Sequence, residues 1–95
     1  ELASAALGQY FISVAPFSLV ICSVDNRILS RYHARAERYV FMEVGHAGQN
    51  ICLQATALSL GTVTVGAFRD EEVRRILCLD SKTRPLYITP VGRPL

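Results

Sequence analysis

A chain of 95 residues that is 51% hydrophobic and 19% charged has room for one small domain. It carries more apolar side chains than a monomer of this size readily buries, so it either presents a large partner interface or belongs to a bigger domain. A net charge of +2 is too small to argue for nucleic acid, and no run of 18 uninterrupted apolar residues is present to span a membrane.

Leu2, Ala3, Ala6, Leu7 and Tyr10 fall at helical spacing over Leu2 to Phe11. The chain starts at Glu1 inside that pattern and shows no signal-peptide regions, so it reads as a piece cut from a longer chain. Pro16 precedes Phe17 to Val24 (FSLVICSV), too apolar for a half-exposed strand. A central strand covered on both faces is expected there. Asp25-Asn26 is a turn and a possible N-cap. Arg27, Arg31, Arg35 and Arg38 fall at i, i+4, i+8 and i+11, so a helix would align them, either as a solvated face or as a contact for an anionic ligand. Tyr32 and His33 are candidates for proton transfer, set against the plainer reading of two surface residues.

Tyr39 to Leu60 reads as one long helix of roughly 33 Å. Phe41, Val44, Gly48, Ile51, Ala55 and Leu58 form an apolar stripe, and His46, Asn50 and Gln54 a polar one suited to a helix–helix interface. Gly45, Ala47 and Gly48 would let another helix come close. Gly61 is placed to end the helix as a C′ glycine, followed by a short β-branched strand, Thr62 to Val65. The whole of Glu43 to Phe68 therefore describes a buried helix running through a turn to Gly66-Ala67-Phe68. Bare backbone comes to an exposed edge there, the layout of a shelf for a flat ligand. Asp70 looks like an N-cap, with Glu71 and Glu72 in the first turn and Arg74 and Arg75 beyond, as the helix dipole favours. Val73, Ile76 and Leu77 face inward. Arg84 to Val91 (RPLYITPV) is a last strand, and its Pro85 and Pro90 suggest an edge or strand limits.

Cys22, Cys52 and Cys78 are odd in number and far apart. With no CxxC pair and no Cys/His cluster, neither a disulfide framework nor a metal site is expected, and reduced thiols fit a cytoplasmic protein. The chain has no GxGxxG after a strand, no GxxxxGK[ST] and no GxSxG elbow. Pattern alone yields an α+β piece with a backbone-lined shelf.

The order of motifs is more specific. Gln49-Asn50, Leu58-Ser59-Leu60-Gly61-Thr62, Gly66-Ala67-Phe68, Leu77-Cys78-Leu79 and Val91-Gly92-Arg93-Pro94 together resemble the C-terminal half of the FMN-dependent nitroreductase family. The upstream segment AALGQYFISVAPFSLVICS is also similar to the family's approach to its central strand. Arg38-Tyr39 followed by Glu43-Val44-Gly45-His46 resembles most the branch that oxidises azolines to thiazoles and oxazoles.

The resemblance implies half of an α/β/α sandwich with a mixed or antiparallel sheet and a long central helix at a homodimer interface. It implies FMN lying across that interface, NAD(P)H as reductant and a small-molecule acceptor. Thr64, Val65, Gly66 and Ala67 would contact the flavin ring, with the N–H of Gly66 or Ala67 donating to the flavin N5. Arg93 would reach the phosphate, although the family usually carries an aromatic residue there. The branch's Lys-Tyr pair corresponds to Arg31-Tyr32, which makes Tyr32 the candidate catalytic residue. An arginine stays protonated and is a poor general base, but flavin-based reduction by NAD(P)H does not need that lysine. The family's N-terminal flavin-binding segment has no counterpart between Glu1 and Leu95, so the opposite wall is expected from a missing N-terminal segment or a second chain. The alternative is a non-catalytic half-domain that serves dimerisation without flavin.

Overall fold

The computed structural model describes residues 1–94, apart from the side chains of Asp25 and Ile28; Leu95 and the Asp25 capping side chain expected from sequence lie outside the described residues. In chain order the elements are α1 (Leu2–Ala5), α2 (Tyr10–Val14), β1 (Phe17–Val24), α3 (Asp25–Tyr32), a 3-10 turn (His33–Arg35), α4 (Ala36–Ala57), β2 (Gly61–Thr62), α5 (Asp70–Ile76) and β3 (Thr83–Gly92). The strands make an antiparallel sheet in the order β1-β3-β2. Val65 adds an isolated antiparallel bridge to Ile88.

Alternation along β3 assigns the two faces of the sheet. Ile88 and its β1 partner Val20 turn toward α1, α2 and α5, where Ala5, Ala6, Ile12, Val65 and Val73 complete the core. Tyr87 and Val91 turn the other way, Tyr87 against Gly48 and Val91 beside Ile51 and Ala55 of α4. Helices thus lie on both faces, which is the α+β layering expected. The radius of gyration is 14.0 Å, against about 12 Å for a closed domain of this length. The excess matches the apolar side chains left in solvent, among them Phe17, Leu19, Phe41, Met42, Leu53 and Leu58.

The prolines do not place β3 at an edge: it is the middle strand. Pro85 sits where the register shifts between Ile21 and Cys22, a bulge that needs no ladder bond from it. Pro90 falls between the β2 pairing at Val91–Gly92 and the Val65 bridge, and its carbonyl accepts from the Thr62 hydroxyl at 2.7 Å. Conversely β1 lies on the outside of this sheet, with Phe17 and Leu19 half exposed.

The long helix keeps the expected length of 22 residues but begins and ends three residues earlier, at Ala36 and Ala57. It ends in a Schellman turn: Leu60 N–H donates to Ala55 O at 2.7 Å and Ser59 N–H to Thr56 O at 3.0 Å. The left-handed residue is Ser59, with φ 60, and Gly61 instead opens β2. Of the Thr62–Val65 strand expected, only Thr62 pairs within β2 and Val65 makes its separate bridge. The arginine stripe is broken, because His33 takes φ 51 and ends α3 before Arg35 and Arg38. Arg69, not Asp70, holds the N-cap position of α5, which places Asp70, Glu71 and Glu72 all in its first turn. Val73 is fully buried, whereas Leu77 remains exposed beyond the helix end.

Asp80 holds the turn from α5 into β3. Its Oδ1 accepts from the Thr83 hydroxyl and from the Lys82 N–H, each at 2.9 Å. The Thr83 bond, then the Lys82 N–H, favours the ionised form and keeps the Asp80 carboxyl below its ordinary value. A depressed native value means stability that is present above the ordinary carboxylate range and lost as pH falls through the lowered value. Asp80→Asn keeps an acceptor without titrating. Thermal melts between about pH 6 and about pH 3 should therefore fall less steeply for the variant. Parallel pH profiles would show that the turn does not sense this proton.

Candidate functional site: a backbone shelf beside the long helix

After the Schellman turn, Gly61 and Thr62 pair with the end of β3, and the chain then leaves the sheet at Val63. It is caught again at Val65, whose N–H donates to Ile88 O at 2.8 Å and whose carbonyl accepts from Ile88 N–H at 3.0 Å. Val65 is buried and its two backbone groups are spent on the sheet. The next two residues, Gly66 and Ala67, are exposed, and among the described residues neither N–H has a partner. The chain is fixed once more just beyond. Ala67 O accepts from Gln9 Nε2 at 3.0 Å, Arg69 N–H donates to Ala5 O at 2.8 Å, and Phe68 packs on the core. Two free amides are thus held between two anchors.

The shelf rests on Tyr87. A Cβ at Gly48 would stand 3.3 Å from the Tyr87 ring (Cδ2 and Cε2) and 3.3 Å from Thr64 Cγ2. A Cβ at Gly66 would stand 3.8 Å from Cε1 of the same ring. The ring therefore lies between α4 and the shelf, with a bare Cα on either side. Of Gly45, Ala47 and Gly48, expected to admit another helix, Gly48 is taken up by the sheet, while at Gly45 a Cβ would meet nothing within 4 Å.

Arg93 is exposed, just past the end of β3. It lines a groove of about 460 Å³ with Phe11, Val14, Pro16, Val63 and Pro90. The shelf bridges β3 at Ile88, five residues back, so the two lie roughly 16 Å apart along the strand.

Tyr32 belongs to a different part of the chain. Its ring meets Tyr39 edge-on at 5.0 Å between centroids, and the Arg31 guanidinium stands 5.5 Å from the Tyr32 centroid. Tyr32, Tyr39, Met42, Glu43 and His46 enclose an open cavity of about 380 Å³. The last four lie at i, i+3, i+4 and i+7 on one face of α4. The structure brings Tyr32 to Glu43 and His46 but not to the shelf, since Tyr39 precedes Gly48 by nine residues, about 13 Å of helix. His33 is exposed, and its imidazole is not among the residues enclosing the cavity. His46, Asn50 and Gln54 are exposed, and Gln54 borders a groove against Phe17, Leu19 and Val91 of the sheet.

Two participants carry little signal in the sequence. Gln9 is a lone amide after an apolar stretch, and Tyr87 an aromatic in a strand. Among the described residues no group of three or more His, Cys, Asp or Glu could hold a metal ion, and no helix is long and apolar enough to cross a membrane.

Comparison with known proteins places the sequence and the fold in one family. The sequence profile of the nitroreductase family matches residues 1–93. A Methanocaldococcus jannaschii protein, provisionally named a nitroreductase, is 53% identical over 95 residues, which is 100% of this chain and 47% of that protein. A crystal structure from Anabaena variabilis, also provisionally named a nitroreductase, superposes with a TM-score of 0.90 at 33% identity, over 99% of this chain and 19% of that one. Nitroreductase A from Vibrio parahaemolyticus gives a TM-score of 0.83 at 25% identity, over 99% and 44% of the two chains. The E. coli microcin synthetase McbBCD complex gives 0.78 at 28% identity, over 82% and 30%. The chain spans about half the length of the curated relative it matches. With its sequence matched from residue 1 to residue 93 and its fold superposed over nearly all its length, the chain belongs to the nitroreductase family.

Proposed function

We propose that this chain is the C-terminal part of an FMN-dependent NAD(P)H oxidoreductase of nitroreductase type, acting on a small nitro or quinone acceptor. One observation carries the reading: two adjacent, unpartnered N–H groups, Gly66 and Ala67, on an exposed segment fixed at both ends. A flat heteroaromatic with ring acceptors fits such a surface, because there is no large side chain to hold it off and the amides are already oriented. Thr64, Gly66 and Ala67 would hold the ring, with Val65 fixing them from the sheet. Arg93 would offer its guanidinium to the phosphate. FMN, when bound, supplies the hydride acceptance and donation that the side chains cannot. Tyr32, beside Glu43 and His46 and away from this chain's own shelf, would serve in proton transfer only at a site completed by residues outside this chain. Arg31 beside Tyr32 offers a guanidinium, a poor general base, where the azoline-oxidising branch carries lysine, which favours reduction of an acceptor over azoline oxidation.

The remaining wall of the site would come from residues outside this chain. The exposed Phe41, Met42 and Leu53 on α4, with Leu58 just past its end, suit packing against a second copy. Cys22, Cys52 and Cys78 are not paired with one another, which suits a reducing compartment such as the cytoplasm. The full-length protein should purify yellow, sediment as a dimer and oxidise NADH or NADPH when a nitroaromatic or quinone is added. A colourless dimer that takes up no added FMN would sink the flavin reading and favour a dimerisation module.

A further inference from the structure

We propose that Gln9 is a positioning residue for the shelf, acting through the Ala67 carbonyl on the way a flat heteroaromatic ligand is held at Gly66 and Ala67. The inference rests on the flavin reading above and names a residue which that reading does not use. Gln9 lies between α1 and α2, 58 residues from its partner. Its Nε2 donates to Ala67 O at 3.0 Å and to Ala6 O at 2.9 Å. Both hydrogens of the carboxamide are then committed, one to its own segment and one across to the shelf.

Its local anchor is firm, because Ala5 and Ala6 are completely buried in the core. The same segment also receives the Arg69 N–H, at Ala5 O. The end of α1 and the segment after it thus grip the shelf on both sides of Phe68, Gln9 at the Ala67 carbonyl before it and Ala5 at the Arg69 amide after it. On the other flank Val65 is bonded to Ile88 through both backbone groups. Between these grips only Gly66 and Ala67 are unsupported. Glycine in particular has no side chain to limit rotation of its two neighbouring peptides. Without the Gln9 bond the Ala67–Phe68 peptide is free to turn, and the neighbouring Gly66–Ala67 peptide that carries the Ala67 N–H loses its downstream anchor, while the Gly66 N–H stays set by the Val65 carbonyl in its own peptide plane.

A purely structural role for Gln9 would be to finish the end of α1 through Ala6 O. Gln9→Glu keeps the length of the side chain but removes both bonds, since a carboxylate has no hydrogen to give and faces two carbonyls, so the two roles are separated by what is read out at the shelf and in overall stability. The test is made on the full-length protein with FMN as the probe. Amide hydrogen exchange over residues 66–69 is measured without ligand, followed by FMN affinity and the bound flavin's absorption and fluorescence. Gln9→Ala serves as a second variant should Gln9→Glu fail to fold. A net hydrogen bond of ordinary strength predicts exchange of the Arg69 amide faster by roughly 2- to 10-fold, and FMN affinity weaker by a similar factor. The flavin spectrum should shift while the melting temperature changes little.

Unchanged exchange over 66–69 together with an unchanged flavin spectrum would overturn the proposal. So would a loss of stability with exchange in the segment equal to wild type's, which is the result of a cap on α1 alone. If the wild-type protein takes up no FMN, the flavin reading fails separately. The clamp is still decided by exchange: faster in the variants supports it, and equal removes it.

Discussion

Ile88→Ala is expected to lower stability by about 2–5 kcal/mol, the range for emptying a fully buried aliphatic site. Native stability for a chain of this size is about 5–15 kcal/mol, so the variant should melt on the order of 10 °C or more below wild type. Ile88 is completely buried on the middle strand and packs among Ala5, Ala6, Ile12, Val65 and Val73. Its surroundings cannot collapse easily. Val20 faces it from β1 in a paired register, and Val65 is bonded to its backbone on the other side. Ala3, Ala5 and Ala6 leave Leu2 as the one long side chain on the α1 side of this cluster, so little there can move in to fill a void. Ile88→Val removes one methylene and should cost about 0.5–1.5 kcal/mol. Urea unfolding of the three proteins tests the ordering. An Ile88→Ala variant within about 1 kcal/mol of wild type would show that this is not the centre of the core.

That core is partly legible in the sequence. The runs FSLVICSV and RPLYITPV read as strands, and both are. Val73 reads as the inward residue of a short charged helix and is fully buried. The position of each strand in the sheet is not legible. Proline argues for an edge only when its missing N–H would have been needed, and the bulge at Pro85 and the gap at Pro90 remove that need. The start of the long helix is hidden because Ala36, its buried first residue, stands among charged neighbours that read as solvated. Its end is masked because glycine is the usual left-handed residue, while here Ser59 takes that conformation and two backbone bonds offset its cost. The shelf itself can be read, since Gly66-Ala67 between apolar neighbours is a local pattern. What fixes it cannot: Gln9 to Ala67 spans 58 positions, and no periodicity encodes such a contact.

Gly48 decides whether the long helix and the shelf stay in register. Glycine inside a helix is intrinsically worse than alanine by about 1 kcal/mol, so by propensity alone any ordinary replacement should stabilise. The space argues the other way. A Cβ there would stand 3.3 Å from Thr64 Cγ2 and from two atoms of the Tyr87 ring, tighter than nine in ten real Cβ contacts. Alanine asks its neighbours to give by a few tenths of an ångström, so its gain and its cost should nearly cancel. Leucine adds three more carbons where α4 meets the sheet and has no such escape. Gly48→Leu is expected to lose about 1–3 kcal/mol and to press Tyr87 toward Gly66, whose Cα lies on the far side of the same ring. Its signature is therefore double: a lower urea midpoint, and weaker FMN uptake by the full-length protein that Gly48→Ala does not share. A leucine variant as stable as the alanine one would mean that α4 can move off the sheet, and that Tyr87 does not carry strain from the helix to the shelf.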